Sequence, residues 1–230
     1  MKTLILIPTY NEHDNVRPIV TEVLKCNPQV HVLVIDDNSP DGTADIVKEM
    51  KREDPRIHLL SRAGKQGLGK AYLAGFEWGQ KNGFELLCEM DADFSHRPVD
   101  LQKILASFDD QTDFVIGSRY IPGGETVNWS WFRRFISRGG SFYAGLVLKY
   151  RVSDYTGGFN CWRSGTLDKI GLSTVTSNGY CFQIELKYKA LKAGCRVREV
   201  PIVFEDRRVG QSKMSTRIVL EAFYKVWQIR

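Results

Sequence analysis

The stretch Phe84-Glu-Leu-Leu-Cys-Glu-Met-Asp-Ala-Asp93 decides how this chain is read, because an apolar run of strand length ends on two carboxylates. A short apolar run bounded by turn residues is the pattern of a strand buried on both faces. The pattern recurs upstream as Leu4–Pro8, Val30–Asp36 and Ile57–Leu60, and downstream as Phe114–Gly117. Helical patterns over Val16–Lys25, Thr43–Lys51, Gly69–Lys81 and Val99–Phe108 lie between these runs. Strands alternating with helices predict an α/β fold, a mostly parallel central sheet with helices on both faces. Ligands of such sheets bind beyond the carboxyl ends of the strands. Those ends carry Tyr10-Asn-Glu12, Asp36-Asp-Asn38, Asp91-Ala-Asp93 and Ser118-Arg-Tyr120, so polar residues collect along one edge.

A chain of 230 residues is long enough to bury roughly 70–75% of the surface its unfolded form exposes, and needs neither disulfide nor metal to fold. Its 43% hydrophobic and 26% charged residues exclude disorder and fibrous structure. A net charge of +5 is mild and names no partner by itself; no nucleic-acid partner is expected. Cys26, Cys88, Cys161, Cys181 and Cys195 are widely spaced, without a CxxC pair or a histidine at zinc-ligand spacing, and are expected to be reduced core thiols. The N-terminal apolar run is too short for a signal peptide, and no run of about 18 uncharged apolar residues predicts a membrane span. A reducing, cytoplasmic setting follows as the expectation.

Three groups of residues carry chemistry. Asp91 and Asp93, two apart on extended chain, leave the same face. Two carboxylates so placed repel unless a cation lies between them, and oxygen ligands select a hard ion, Mg²⁺ or Mn²⁺; solvated loop aspartates are the plainer account. Asp36-Asp-Asn-Ser-Pro-Asp-Gly-Thr43 has turn chemistry, with Asp41 or Thr43 able to cap the next helix. A carboxylate after the second strand is also where nucleotide folds hold a ribose or base, and Asp37 is the better placed. The cationic group comprises Arg119, the cluster Arg133, Arg134 and Arg138, and Arg207, Arg208 and Lys213 of a late loop; guanidinium forks match phosphate oxygens, although each run alone reads as a solvated face. Gly64-Lys-Gln-Gly-Leu-Gly-Lys70 comes close to a phosphate-binding loop, but Ala71 stands where the Mg²⁺-binding hydroxyl belongs. A P-loop nucleotidase is therefore a competing reading, and a flexible glycine loop the plainer one.

Taken in order, Pro8-Thr-Tyr-Asn-Glu12, Asp36-Asp-Asn-Ser-Pro-Asp-Gly-Thr43, Gly67-Leu-Gly69, Met90-Asp-Ala-Asp-Phe-Ser-His96, Ile116-Gly-Ser-Arg-Tyr120, Ile136-Ser-Arg-Gly139, Asp154-Tyr-Thr-Gly-Gly-Phe159 and Gly210-Gln-Ser-Lys213 resemble the polyprenol-phosphate (dolichol-phosphate) mannose synthases. These are inverting glycosyltransferases of the GT-A fold. The resemblance implies one glycosyltransferase domain over residues 1–230, with a nucleotide-sugar-binding half at 1–120 and an acceptor-binding half at 121–230. It also implies GDP-mannose as donor, a polyprenyl monophosphate as acceptor, and Mg²⁺ or Mn²⁺ as cofactor. Carried over by motif, Pro8, Tyr10, Glu12, Ile35 and Asp37 would line the nucleoside pocket. Asp91, Ala92 and Asp93 would lie along the diphosphate, with Asp91, Asp93 and Ser95 about the metal. Arg119 would touch phosphate, Arg133 and Ser137 the acceptor phosphate, and Arg207 with Lys213 the donor diphosphate. A UDP-glucose-dependent transferase with the same acceptor is the nearest alternative.

The chemistry agrees with that resemblance. An acceptor hydroxyl needs a base to remove its proton, whereas a phosphate monoester is already an anion near pH 7 and needs none. No catalytic histidine is evident: His31 and His58 fall in strand patterns, and His13 and His96 in loops. The basic-aromatic stretches Trp129–Tyr150 and Arg217–Arg230 read as interfacial segments. They predict peripheral attachment to the cytoplasmic side of a membrane, with room for a separate anchoring subunit.

Overall fold

Residues alternating between two apolar environments build the centre of the molecule. In β1 (Thr3–Thr9), Leu4 and Leu6 face one core and Ile5 and Ile7 the other; in β2 (His31–Asp36), Leu33 and Ile35 oppose Val32 and Val34 in the same way. A strand buried on both sides has no polar face to alternate, hence the unbroken apolar runs of the sequence. The computed structural model describes residues 1–206 and 224–230. Within them β3 (Ile57–Ser61), β4 (Leu86–Glu89), β5 (Phe114–Ser118), β7 (Asn160–Arg163) and β8 (Val197–Pro201) complete a sheet of order β3-β2-β1-β4-β7-β5-β8. Every neighbouring pair is parallel except those made by β7, which runs antiparallel between β4 and β5. A small parallel pair, β6 (Glu125–Val127) with β9 (Val203–Glu205), lies apart from it.

Helices α1 (His13–Cys26), α2 (Thr43–Glu53) and α4 (Asp100–Ala106) supply apolar residues to one core. Helices α3 (Leu68–Lys81), α6 (Ser164–Ile170) and α7 (Tyr180–Lys192) supply them to the other. The α/β expectation with helices on both faces holds, and each expected strand and helix of the first half is found. A third cluster joins α5 (Trp131–Leu148) to Tyr188 of α7 and to Val226 of a helical stretch at 224–229.

The antiparallel insertion of β7 corrects one expectation. It sets Cys161 opposite Cys88 in register, with Cα atoms 4.0 Å apart, and the two form a disulfide. Cys26, Cys181 and Cys195 are free thiols. Spacing along the chain carries no sign of a pairing created by a strand that arrives 73 residues later.

Gly124 meets the backbone just before β6. A Cβ there would lie 2.6 Å from Ser118 O and 2.8 Å from Arg119 C, and main chain inside a sheet edge cannot swing away as a side-chain tip can. Gly124→Ala is therefore expected to destabilise the protein by about 1–3 kcal/mol through overpacking, read as a lowered urea midpoint at unchanged slope.

Candidate active site

The strands end in tight turns. Asn11 after β1 and Asn38 after β2 adopt left-handed φ values of 59° and 57°, a conformation that asparagine tolerates better than most residues. Asp36 turns inward, accepting from Thr9 Oγ1 at 3.0 Å, Ser39 N at 2.9 Å and Ser39 Oγ at 2.6 Å. Its neighbour Asp37 is also buried, and its carboxylate pairs with Arg62 Nη1 at 2.7 Å. Burial raises the Asp37 carboxyl, opposed by the charge of Arg62. Tyr10 is partly exposed beneath the Lys65 ammonium, 4.1 Å from the ring centroid. The glycine-lysine stretch thus brings a cation onto an aromatic, and Gly67, at φ 100°, starts α3. Glu12 accepts from Asn15 Nδ2 at 2.8 Å, and Pro8 is half-buried within β1. Ile35 is fully buried: a Cβ on Gly75 of α3 would come within 2.5 Å of its Cδ1.

Beyond β4 the chain turns at Phe94, a bulky residue held at the left-handed φ of 62°. Such strain costs on the order of 1–3 kcal/mol and persists only where surrounding structure enforces it. Asp93 precedes it, buried, with Oδ1 accepting from Ser95 N at 3.1 Å. Asp91 is one-third exposed, with Tyr72 Oη 3.4 Å from Oδ1. Ala92 is buried between them. His96 is not a spare ligand. Its Nδ1 accepts from Asp91 N at 3.1 Å, its ring stacks on Phe159 at 4.8 Å, and burial lowers its pKa, all of which describe a neutral imidazole. Ser95 Oγ is buried with no hydrogen-bond partner among the described residues. Two carboxylates beside an unsatisfied hydroxyl fit a hard cation, which takes few protein ligands and completes its shell from phosphate and water. No group of three His, Cys, Asp or Glu side chains gathers among the described residues.

Arg119, at the end of β5, is buried, and its Nε and Nη2 hold Asp154 in a fork, both at 2.7 Å. Nη2 also donates to Thr156 Oγ1 at 2.9 Å, which lies 3.3 Å from Ser137 Oγ. Tyr120 Oη donates to Ser137 Oγ at 2.6 Å. The side edge of Arg119 therefore serves Asp154, and its positive charge stands behind Ser137. Arg133 of α5 pairs with Asp206 at 2.9 Å. Phe204 ties the two sides of the crevice together, with ring centroids 5.3 Å from His96 and 5.2 Å from Trp129. Arg207 and Lys213 lie outside the described residues.

Sequence reading missed the polar core beneath these groups. Lys187 of α7, fully buried, donates to the carbonyls of Asp154, Tyr155 and Gly157 at 2.9, 3.1 and 2.7 Å. Glu89 of β4 accepts from Asn160 Nδ2, Gln183 Nε2 and Trp162 Nε1 at 2.9, 2.9 and 3.1 Å. Glu89 inside an otherwise apolar strand was the available signal, since burial of a carboxylate is tolerated only with partners; Lys187 lies in a helix with Glu185, Lys189 and Lys192 and does not stand out.

Carboxylates at the ends of β2 and β4, opposite the arginines Arg119 and Arg133, make an arrangement suited to a nucleotide-sugar transferase. Comparison supports this directly: residues 4–171 match the glycosyl transferase family 2 model, and the chain belongs to that family. It is 48% identical to the polyprenol monophosphomannose synthase of Mycolicibacterium smegmatis, over all of this chain and 88% of that protein. It is 44% identical to the undecaprenyl-phosphate mannosyltransferase of Micrococcus luteus, over 98% of this chain and 93% of that one. The fold matches that of a Pyrobaculum calidifontis mannosyltransferase solved with GDP-Man and Mn²⁺, with TM-score 0.66 and 16% identity over 99% of this chain and 64% of that one. It also matches glucosyl-3-phosphoglycerate synthase of Mycobacterium tuberculosis, with TM-score 0.68 and 13% identity over 100% of this chain and 81% of that one. These GT-A relatives bear out the expected fold, and family membership replaces the P-loop reading.

Burial raises Glu89 from 4.5 to about 7, against the hydrogen bonds of Asn160, Gln183 and Trp162. A carboxyl raised in the native state favours folding at low pH, and that contribution is lost as pH rises through about 7. Glu89→Gln cannot titrate. The stability advantage of wild type over Glu89→Gln is expected to shrink by more than about 1 kcal/mol between pH 5 and pH 8, as measured by urea unfolding of both proteins. An advantage that grows with pH would mean the native state prefers the carboxylate.

Proposed function

We propose that the chain transfers mannose from GDP-mannose to a polyprenyl monophosphate with inversion, yielding polyprenyl-phosphate β-mannose and GDP. The observation that carries this reading is its end-to-end similarity to two mannosyltransferases named for polyprenyl-phosphate chemistry. In this reading residues 1–120 hold the donor and 121–230 the acceptor. Asp37 with Arg62 reads the base, and Pro8, Tyr10 and Glu12 border the nucleoside. An oxygen of the acceptor phosphate bonds to the anomeric carbon as the bond from that carbon to the GDP oxygen breaks. No proton need be removed, which agrees with a site whose His96 already accepts a backbone N–H.

What the protein must supply is alignment and stabilisation of charge on the leaving diphosphate. Asp91 and Asp93, with the unsatisfied Ser95 hydroxyl, would hold a Mg²⁺ or Mn²⁺ ion, which when bound neutralises that charge. Arg133 and Ser137 receive the acceptor phosphate, and the Arg119 charge supports them from behind.

Contact with a membrane surface follows from the acceptor, whose tail stays in the bilayer. No helix of the described residues is long and apolar enough to span a membrane. Instead α5 exposes Trp131, Phe135, Phe142 and Leu146, at 78, 67, 74 and 69%. Their spacing puts them on one helical face, and such a stripe suits the interfacial plane of a bilayer.

Asp93→Asn is expected to lower turnover by at least about 10²-fold, a few kcal/mol of barrier, with little change in stability. The assay supplies GDP-mannose or UDP-glucose, a polyprenyl phosphate and Mg²⁺ or Mn²⁺, and reads the lipid-linked product and its anomeric configuration. Near wild-type turnover of Asp93→Asn would remove this carboxylate from the site, and preference for UDP-glucose would reassign the donor.

A further inference from the structure

In sequence Trp129 belongs to an interfacial aromatic run, yet in the fold it is only 8% exposed. Its indole N–H is buried without a hydrogen-bond partner among the described residues. A neighbouring donor shares that condition: Arg133 Nε is likewise buried and without a partner among the described residues, and its guanidinium lies over the Trp129 ring, 3.9 Å from the centroid. Among the described residues the Arg133 guanidinium spends one hydrogen bond, from Nη1 to Asp206 Oδ1, which leaves the edge formed by Nε and Nη2 for something else. That is the edge with which arginine grips phosphate bidentately. An unsatisfied buried N–H is costly, and native proteins seldom leave two together without a ligand to meet them.

The surroundings specify the charge of that ligand. Trp129 directly precedes Ser130, whose Oγ accepts from Arg133 N at 3.3 Å and caps α5. The N-terminus of this 18-residue helix adds its positive dipole end to the same place. Arg119 brings a second guanidinium within 5.4 Å of the indole ring. Indole and guanidinium only donate, so a group made of acceptors alone suits them, whereas an alcohol would bring a proton of its own.

We propose that the Trp129 indole N–H and the Nε–Nη2 edge of Arg133 together bind the phosphate monoester of the acceptor, with Trp129 as a specificity-determining donor. The proposal rests on the polyprenyl-phosphate reading above and adds to it a residue that the sequence motifs do not mark. The nucleophilic phosphate loses negative charge as its oxygen bonds to carbon. A donor to it therefore holds the ground state at least as strongly as the transition state, and its loss falls on KM more than on kcat.

Trp129→Phe keeps the ring over Arg133 and removes the N–H. With citronellyl phosphate, a short soluble prenyl monophosphate that takes membrane contact out of the measurement, the acceptor KM is expected to rise about tenfold or more. GDP-mannose affinity by calorimetry should stay within about twofold, since the missing donor is assigned to the acceptor side. The wild type gives a readout that does not depend on the variant: the Trp129 indole resonance in a ¹⁵N-tryptophan spectrum should move downfield as citronellyl phosphate is added. A wild type that transfers mannose with an unmoved Trp129 resonance, or an unchanged acceptor KM in Trp129→Phe, would overturn the role of Trp129 and leave the transfer reaction standing. A wild type that binds GDP-mannose but neither binds nor uses citronellyl phosphate would overturn both.

Discussion

Asp154 has no contact with solvent, and its carboxylate takes hydrogen bonds from Arg119 N, Nε and Nη2 and from Gly157 N. Burial alone would raise its pKa; the Arg119 charge and these donors hold it below the usual carboxylate range. Its main-chain carbonyl is one of three held by the Lys187 ammonium. The two charged pairings fix the loop between α5 and β7, and with it the position of Arg119 at the end of β5. A buried pair of this kind adds little net stability, because desolvation offsets the attraction. What it adds is position: losing either partner strands a charge in the interior, so alternative arrangements of the loop are suppressed.

The two sides of the crevice are built by different means. At the ends of the parallel strands the chain turns through left-handed residues, Asn11, Asn38 and Phe94, which set the backbone beside Asp37 and Asp93. Around Ser137 buried polar side chains do the positioning, in the chain of contacts from Lys187 through Asp154, Arg119 and Thr156 to Ser137. Phe204 of β9 touches His96 on one side and Trp129 on the other. The strained turn and the polar network are therefore packed against a common aromatic, and displacement of one is felt by the other.

How much of this could be read in advance follows from where the information resides. The parallel half was legible because each of its strands is buried on both faces and writes a local apolar run. Strand β7 was not, because its place between β4 and β5 depends on a partner 73 residues away, and the Cys88–Cys161 disulfide was lost with it. The placement of Asp37, Asp91 and Asp93 just beyond β2 and β4 was legible because each follows directly on an apolar run. Lys187 and Glu89 were not, since a charged residue in a helix or strand reads by default as a solvated face, and only tertiary partners make it interior. Trp129 was misread for the same reason: composition placed it among interfacial aromatics, while packing against Phe204 and Arg133 buries it.

A site that activates a hydroxyl would need a base near its acceptor, poised to take up a proton. The groups here are arranged for the opposite purpose. His96, the histidine next to the carboxylates, is neutral and already engaged as an acceptor through Nδ1. Asp154 and Asp206 each hold an arginine. Among the described residues, the Trp129 indole N–H, the Nε–Nη2 edge of Arg133 and the N-terminus of α5 lie together as donors. Donors can receive charge but cannot remove a proton, which suits the nucleophile proposed above, a phosphate monoester already ionised near neutral pH.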